Sequence, residues 1–386
     1  MIRGHNFRKT VYFNGLTELR AVAAIAVVVY HIELYKFGQH EPTLFTVPFL
    51  GQFMDGLGPN AVFLFFVLSG FLITYLLLEE KANTGTIGIR KFYVRRILRI
   101  WPLYYIIIGI SFFIVPLTYN HSFWIHEINY QERIGKLNYG GNLVLCLFFL
   151  SNLAMLIYKP IVGAAHSWSV SAEEQFYFFW PAIVMAFDRY ILAALLSIAI
   201  LKPLLLILLI HLFKSSSPGL MVFITFLDGM KFEYMAIGGI LAYIFQNKKD
   251  IADKFFRSTR LFGAAIIILS ISLFFYRFTY INALLFALII GFVIHSDWNS
   301  PILKKLGEVS YGIYMYHPIM MYISFAAAHN LLKKPNSLWA LILEYLLVFI
   351  LTYLVSLVSY RWIESYFLKL KSKFSVIHSQ STLNSL

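Results

Sequence analysis

The sequence predicts an all-α protein, a polytopic bundle of about ten transmembrane helices with both termini in the cytoplasm. The chain of 386 residues is 59% hydrophobic and only 13% charged, whereas a typical soluble domain is about 25% charged. Its apolar residues form runs close to the length of roughly 20 residues that crosses a bilayer as a helix. Lysine and arginine lie mostly between these runs, which is typical of the cytoplasmic loops of membrane proteins.

The apolar runs give the candidate spans, and a shorter run at 219–227 could form a half-helix. The candidate spans are 15–36, 60–79, 100–117, 141–157, 169–187, 190–213, 229–246, 260–276, 279–295, 309–329 and 338–362.

Basic residues indicate the side of the membrane on which each loop lies. The N-terminus, the loop after the second span, the loop 247–260 and the C-terminal tail are all basic and are predicted to be cytoplasmic. Between the expected outer loop 118–140 and the loop 247–260, an odd number of spans must cross. Four candidates lie there, so one of them does not cross fully, and the sequence does not show which. Ten spans remain.

This topology divides the chain into a cytoplasmic N-terminus at 1–14, a transmembrane domain at 15–368 and a cytoplasmic polar tail at 369–386. The net charge of +13 does not indicate nucleic-acid binding, because no soluble basic domain remains outside the spans. The single cysteine, Cys146, permits no intrachain disulfide. No cluster of His, Asp or Glu has the sequence spacing of metal ligands, so we expect no metal site. The oligomeric state is not indicated.

Two polar residues in the first span are the strongest candidates for chemistry. Arg20 and His31 flank an unbroken apolar decapeptide. Eleven residues make about three helical turns, so both side chains lie on one face, about 16 Å apart along the axis. Charged groups at bilayer depth are costly and usually face the bundle interior. For this pair taken alone, snorkelling of both side chains to the two interfaces is the plainer explanation.

A basic cluster opens the third span. Arg96 and Arg99 share a helix face because they are three residues apart, and Arg95 is next to them. Arginine binds phosphate groups through paired hydrogen bonds, so the cluster is a candidate site for a phosphorylated cytosolic ligand. Basic residues that only set the membrane topology are the plainer explanation.

Further polar residues fall where lipid is expected. The segment HSWSVSAEEQFYFFWP contains Ser171, Glu174 and Tyr177, of which the last two can share a helix face. Ser69 lies in the middle of the second span, and His317 lies in a span near the C-terminus. Helix packing, the helix dipole or an interfacial position could account for each of them.

Seven motifs occur in a fixed order along the chain. They are R-x10-H in the first span, FFVLSGFLIT, RRxxRIxP, HSWSVSAEEQFY, FEYMAIGGILA, SYGIYMYHP and RWIE. With these motifs the sequence resembles the membrane-bound acyltransferase family 3 over about residues 12–368. We expect the stand-alone type, without an appended extracellular esterase-like domain.

The resemblance implies an enzyme of the bacterial cytoplasmic (inner) membrane. Members transfer an acyl group, often acetyl, from cytosolic acyl-CoA to a hydroxyl of a glycan such as a lipopolysaccharide O-antigen or an exopolysaccharide. The partners are then acyl-CoA, the glycan or glycolipid acceptor and membrane lipid, with no bound cofactor. The R-x10-H motif of the family corresponds to Arg20 and His31, and its RxxR motif corresponds to Arg96 and Arg99.

A mechanism follows as a hypothesis. The cluster of Arg95, Arg96 and Arg99 docks acyl-CoA, and His31 acts either as general base on the acceptor hydroxyl or as a covalent acyl carrier. Arg20 and Glu174 complete the expected catalytic group. The expected substrate-binding residues are Ser69, Ser171, Tyr177 and His317. A transporter or permease for a glycan intermediate or small molecule is the alternative, because intramembrane charges also mark transport pathways.

Overall fold

The computed structural model describes residues 9–11, 13–118, 138–158, 160–213, 217–274, 279–331, 338–374 and 377–379. Most of the predicted N-terminal segment, most of the predicted outer loop and the end of the polar tail lie outside these residues. The described chain is helical apart from its loops and two three-residue strands, Lys9–Val11 (β1) and Ile377–Ser379 (β2), which pair in parallel. The prediction of an all-α bundle is confirmed.

The helices follow one another along the whole described chain. The first seven are α1 (Leu16–Gly38), α2 (Leu50–Thr84), α3 (Ile89–Gly109), α4 (Tyr139–Leu147), α5 (Ser151–Ile157), α6 (Ser167–Ala186) and α7 (Ile191–Phe213). The others are α8 (Pro218–Gly229), α9 (Phe232–Asn247), α10 (Lys249–Phe256), α11 (Thr259–Ser272), α12 (Thr279–Ile294), α13 (Pro301–Glu308), α14 (Ser310–Leu331), α15 (Leu338–Ser359) and α16 (Ser365–Ser372). Helix α3 continues through a π-helical turn, Ile110–Ile114, into a last helical turn, Val115–Thr118, and α15 continues through another π-helical turn, Tyr360–Glu364.

Five helical stretches of the described chain are long and apolar enough to cross a membrane. They are Leu16–Gly38, Leu50–Thr84, Ile89–Thr118, Asp188–Phe213 and Trp339–Ser372. A sixth is possible if α10 and α11, which meet at an angle of 73°, form one broken span. The expected count of ten spans and the cytoplasmic placement of both termini therefore stay predictions. Several of the remaining predicted spans form helices that are shorter or more polar, and these carry side chains that line the pockets described below.

The structure shows directly how two of the predicted segments near the middle of the chain fold. The candidate span 141–157 is not one helix, because α4 and α5 are separated by a turn in which Phe149 has a positive φ of 55°. The short run 219–227, expected as a half-helix, lies within the 12-residue helix α8.

Helix α2 lies at the centre of the bundle, where it packs against α1, α6, α9 and α12. Its closest neighbour is α9, and glycines allow the two backbones to approach. A Cβ atom on Gly70 would collide with the Met235 carbonyl oxygen, and one on Gly238 would collide with the Val67 carbonyl oxygen. Small residues at helix contacts are the usual means of close packing within a membrane.

The functional residues are carried by helices that pack around α2. Helix α1 contacts α2, α13 and α14, while α14 packs mainly against α15. At the C-terminal end, α16 packs on α3, and Arg95 Nη1 donates to the Phe374 carbonyl at 3.1 Å. The C-terminal segment is thereby attached to the end of the bundle where α3 begins.

Candidate functional site

A pocket lies inside the bundle near the N-terminal end of α1. We call it the arginine pocket, because three arginines line it. Its polar lining is formed by Arg20, Ser69, Arg96, Arg99, Ser169, Glu173, Tyr177, Ser310, Tyr311, Tyr314 and Lys371, and its apolar lining comes mainly from α2.

The lining of the arginine pocket is strongly cationic. It contains four basic side chains, Arg20, Arg96, Arg99 and Lys371, and one carboxylate, Glu173. The charges of Arg96, Arg99 and Glu173 all act on Arg20. Concentrated positive charge away from bulk water is costly unless anions balance it. The pocket is therefore suited to an anionic ligand.

Arg96 is held so that part of its guanidinium is available. Its Cζ lies 5.8 Å from the ring centre of Phe92 and 5.6 Å from that of Tyr177, distances typical of cation–π contacts. Its Nε atom is buried and has no hydrogen-bond partner among the described residues. Buried donors are normally satisfied, so this Nε is a donor that a ligand in the pocket could engage.

Glu173 is the acidic residue of this pocket. Its Oε1 atom accepts hydrogen bonds from the Ser69 hydroxyl of α2 and from the Tyr177 hydroxyl one turn later on α6. The Tyr177 and Ser69 oxygens are also 3.1 Å apart. The predicted residues Ser69 and Tyr177 thus lie together at the pocket wall, held by a carboxylate that the sequence argument did not select.

Glu174, the acid that the sequence argument did select, points elsewhere. It is one residue further along α6, about 100° around the helix, and its Oε2 accepts from Trp101 Nε1 at 2.9 Å. It does not line the arginine pocket. The sequence predicts that Glu174 and Tyr177 share a helix face, but in the structure it is Glu173 that lies with Tyr177 on the face that lines the pocket.

Ser171 and Arg95 also lie outside the pocket lining. The Oγ atom of Ser171 is 2.6 Å from that of Ser151 at the start of α5, so Ser171 joins two helices. Arg95 Nη2 donates to Glu80 Oε2 at 3.0 Å in a buried ion pair. The geometry of both residues indicates a structural role.

A second pocket lies further along α1. We call it the histidine pocket, because His31 and His166 line it, together with residues of α1, α2, α14 and the segment before α6. The buried His317 of α14 brings its Nε2 atom to 3.1 Å from His31 Nδ1. The ring of His166 is 5.2 Å from that of His317, and it lies near the Met315 backbone without a hydrogen bond of ordinary geometry.

Backbone carbonyls determine the tautomers that fit this cluster. His31 Nδ1 lies 2.9 Å from the Val27 carbonyl oxygen, and His317 Nδ1 lies 2.7 Å from the Tyr314 carbonyl oxygen. A carbonyl only accepts, so both Nδ1 atoms are assigned as protonated. His31 Nε2 is then an unprotonated nitrogen, and no described residue donates a hydrogen bond to it.

The two pockets adjoin each other. Val62 and Tyr314 line both of them. The Tyr314 hydroxyl is 2.6 Å from Ser169 Oγ on the arginine side, while its ring is 5.8 Å from the His317 ring on the other side. Arg20 and His31, predicted to line one interior, therefore lie in adjoining pockets.

Four residues of these pockets have no predicted site role. Glu173 is the neighbour of the predicted Glu174, and His166 opens the polar segment HSWSVSAEEQFYFFWP. Lys371 falls in the predicted polar tail, although it is buried at the end of α16. Tyr314 has no predicted role, although its i,i+3 spacing from His317 on one helix places the two on the same face.

Comparison with known proteins points to one family of enzymes. A family profile described as an acyltransferase domain matches residues 13–361. The chain is 26% identical to the O-acetyltransferase OatA of Staphylococcus aureus strain NCTC 8325 / PS 47, over 92% of this chain and 57% of that protein. The same figures hold for OatA of Staphylococcus aureus strain COL. The chain thus spans a little over half the length of these relatives. No solved structure matches it.

Proposed function

Because this chain belongs to the membrane-bound acyltransferase family 3, we propose that it is an O-acyltransferase which moves an acetyl group from cytosolic acetyl-CoA to a hydroxyl of a cell-envelope glycan. One observation carries the proposal. A cationic pocket and a pocket with an unprotonated histidine nitrogen share a wall within one bundle.

The arginine pocket supports an acyl-CoA donor. Coenzyme A carries several phosphate charges, and arginine is the side chain best suited to bind them. The pocket lining contains four basic residues and one carboxylate, so it has a net positive charge that the phosphates of such a ligand would balance. Arg96 and Arg99 lie near the start of α3, next to a basic segment that favours the cytoplasmic side. The donor would therefore enter from the cytosol.

The distance between the pockets favours a long donor. Arg20 and His31 are separated by about 16 Å along α1, at 1.5 Å per residue. The extended pantetheine arm of coenzyme A bridges such a gap, with the phosphates among the arginines and the thioester beyond Tyr314. A compact acyl donor would not engage both pockets.

His31 provides the base. The lone pair on Nε2 takes the proton of the acceptor hydroxyl as its oxygen attacks the thioester carbonyl. The new C–O ester bond forms, the C–S bond breaks, and the proton passes to the departing thiolate to give coenzyme A. In the alternative order, Nε2 attacks the thioester first and the acyl-histidine then reacts with the hydroxyl. Both orders consume one thioester for each ester formed.

The acceptor would reach His31 from the opposite side. The histidine pocket extends past the C-terminal end of α1, where Gly38 and Gln39 line it, and this end faces away from the cytosol in the predicted topology. A glycan of the cell envelope fits that placement in a bacterial inner membrane. The OatA relatives are named as O-acetyltransferases, which supports acetyl as the group transferred.

The test uses the purified full-length chain in lipid nanodiscs. It is incubated with acetyl-CoA labelled in the acetyl group and with extracted cell-envelope glycan, and both free coenzyme A and labelled glycan are measured. We expect both products in equal amounts from the wild type and neither from His31→Ala. No release of coenzyme A by the wild type, together with uptake of glycan or acetyl-CoA when the same protein is placed in sealed proteoliposomes, would instead support the transporter alternative.

A further inference from the structure

The histidine pocket contains a tryptophan that the mechanism above does not use. Trp168 is the second residue of α6, two residues after His166, and it lines the histidine pocket but not the arginine pocket. We propose that Trp168 binds an uncharged sugar ring of the acceptor, with the indole face against the sugar and the indole N–H donating to a sugar hydroxyl. This inference rests on the proposed glycan acceptor and names a residue that selects it.

The indole N–H of Trp168 is available to a ligand. Trp101 donates its indole N–H to Glu174 Oε2 at 2.9 Å. Trp180 donates in the same way to Thr74 Oγ1 at 2.9 Å. The N–H of Trp168 makes no hydrogen bond within the part of the chain that the structure describes, and this nitrogen is not fully buried. Tryptophan N–H groups in partly buried positions usually donate to a partner, so a ligand of the pocket can take that place.

Contacts on two sides hold Trp168 in position before any ligand binds. Its ring meets the buried Phe66 ring of α2 edge to face, with the ring centres 6.2 Å apart. The next residue, Ser169, has its Oγ atom 2.6 Å from the Tyr314 hydroxyl, which attaches the start of α6 to α14. A side chain that is already fixed loses little conformational freedom when it binds a ligand. Trp168 is therefore a pre-formed part of the pocket wall.

The rest of the lining fits a polar ligand without net charge. The pocket has a volume of about 620 Å³, and small-molecule sites usually have about 300–1,000 Å³. Its described lining contains no carboxylate, and the single lysine or arginine there, Lys231, pairs with Asp228. The lining of the arginine pocket, by contrast, is strongly cationic. The two adjoining pockets thus differ in charge, as the sites of a phosphorylated donor and an uncharged acceptor would.

A sugar ring matches the chemistry of an indole. Its faces present C–H groups and its rim presents hydroxyls, while tryptophan combines a large apolar face with one polar N–H. The position also suits the reaction. The ring of His166, two residues from Trp168, is 5.2 Å from the ring of His317, and His317 contacts His31. A sugar bound at Trp168 is thus held beside the histidine cluster, where one of its hydroxyls can reach His31.

The experiment measures glycan binding without turnover. The parent protein is full-length His31→Ala in nanodiscs, and the probe is fluorescently labelled cell-envelope glycan from which acidic material has been removed by anion exchange. The Kd is determined by equilibrium dialysis. We expect Trp168→Ala to raise the glycan Kd at least about 10-fold, because both the ring contact and the hydrogen bond are lost. Trp168→Phe keeps a ring but lacks the N–H, and should raise the Kd about threefold.

Two controls separate acceptor binding from packing. Trp339→Ala removes a tryptophan that is 75% exposed and lines neither pocket, and its glycan Kd should match that of the parent. The Kd for coenzyme A, measured by calorimetry, should also match the parent in Trp168→Ala, whereas a packing defect would weaken both ligands. An unchanged glycan Kd in Trp168→Ala, equal weakening of both ligands, or no binding of the neutral glycan to the parent would overturn the proposal. If Trp168→Ala does not fold, Trp168→Phe decides, and an unchanged glycan Kd then overturns it.

Failure of this inference and failure of the proposed function give different results. The binding assay contains no acetyl-CoA, so it does not depend on acyl transfer. Glycan binding that weakens in Trp168→Ala, together with a wild type that releases no coenzyme A, would disprove the enzyme activity and support the sugar site. Acetyl transfer by Trp168→Ala at the wild-type rate over all glycan concentrations would disprove the sugar site and support the enzyme activity.

Discussion

His317 Nε2 lies 3.1 Å from His31 Nδ1, although the two residues are 286 positions apart in the chain. The contact joins α1 to α14 at the place where the acceptor hydroxyl would react. His317 is itself fixed by the Tyr314 carbonyl, 2.7 Å from its Nδ1. His317 is therefore a positioning residue for His31, and this relationship gives the first prediction.

Replacing His317 with Phe should slow acyl transfer while leaving donor binding intact. The substitution keeps a ring but removes the nitrogen beside His31, so the His31 ring loses one of its two polar contacts and keeps only the contact with the Val27 carbonyl. General-base catalysis contributes about 10²–10⁴-fold, and we expect loss of a part of this, a fall in kcat of about 10- to 100-fold. The Kd for coenzyme A, measured by calorimetry, should not change.

A general packing defect would give a different result for His317→Phe. It would lower the melting temperature and weaken coenzyme A binding together with kcat. His317→Asn keeps a polar group near His31, so part of the activity should return. A kcat for His317→Phe equal to that of the wild type would show that His317 does not position His31 for catalysis.

The adjacent acids Glu173 and Glu174 should differ sharply on substitution with Gln. Glu173 holds Ser69 and Tyr177 at the wall of the arginine pocket, whereas Glu174 contacts Trp101 outside it. We expect Glu173→Gln to reduce kcat/KM by at least about 10-fold, since one hydrogen bond to a charged group contributes about 1.5–3 kcal/mol.

Glu174→Gln is the matched control for this pair. It keeps an acceptor for the Trp101 N–H, so its kcat/KM should stay within about threefold of the wild type. The measurement is the initial rate of coenzyme A release at varied acetyl-CoA. A larger loss for Glu174→Gln than for Glu173→Gln would show that the sequence-based choice of Glu174 was the better one.

Removal of Arg96 and Arg99 from the arginine pocket should weaken donor binding. Arg96→Ala with Arg99→Ala removes two of the four basic side chains of the arginine pocket. Each hydrogen bond to a charged group contributes about 1.5–3 kcal/mol, so we expect the Kd for coenzyme A to rise at least about 100-fold. Calorimetry on protein in nanodiscs measures it, and the effect should diminish in high salt because salt screens the interaction.

Arg95→Ala provides the comparison within the same basic cluster. Arg95 pairs with the buried Glu80, and removal of one partner of a buried ion pair costs about 3–5 kcal/mol of stability. Its melting temperature should fall, while coenzyme A binding of the folded fraction should stay near the wild-type value. If Arg95→Ala alone weakens binding as much as the double variant, the arginine pocket is not the donor site.

The contact between α2 and α9 should not tolerate a larger residue. A side chain at Gly70 would meet the Met235 carbonyl, which is backbone and cannot rotate away. Overpacking of this kind costs about 1–3 kcal/mol or more, so Gly70→Leu should lower the melting temperature in detergent by several degrees. A Cβ atom on Gly263 of α11 would meet no atom of the described residues within 4 Å, and Gly263→Leu should melt like the wild type.

The fold class was predictable because hydrophobic runs reflect the solvent around the helix. The first candidate span, 15–36, corresponds closely to α1, Leu16–Gly38, since an apolar run with few breakers has little alternative in lipid. The segment 141–157 has a similar composition but folds as two short helices around Phe149. Composition does not record such a turn, which depends on what the segment packs against.

The site was predictable only in part, for a geometric reason. Arg20 and His31 stood out because charge is rare within a span. The choice between Glu173 and Glu174 depends on a rotation of about 100°, which only the positions of α2 and α3 resolve.

The central claim is that His31 Nε2 receives the proton of the acceptor, or carries the acyl group, in transfer from acetyl-CoA. The most direct measurement is acetyl transfer to glycan by His31→Ala in nanodiscs, with coenzyme A affinity and membrane abundance measured on the same preparation. We predict that transfer falls to background while affinity and abundance match the wild type. Transfer by His31→Ala at a rate near that of the wild type would contradict the account.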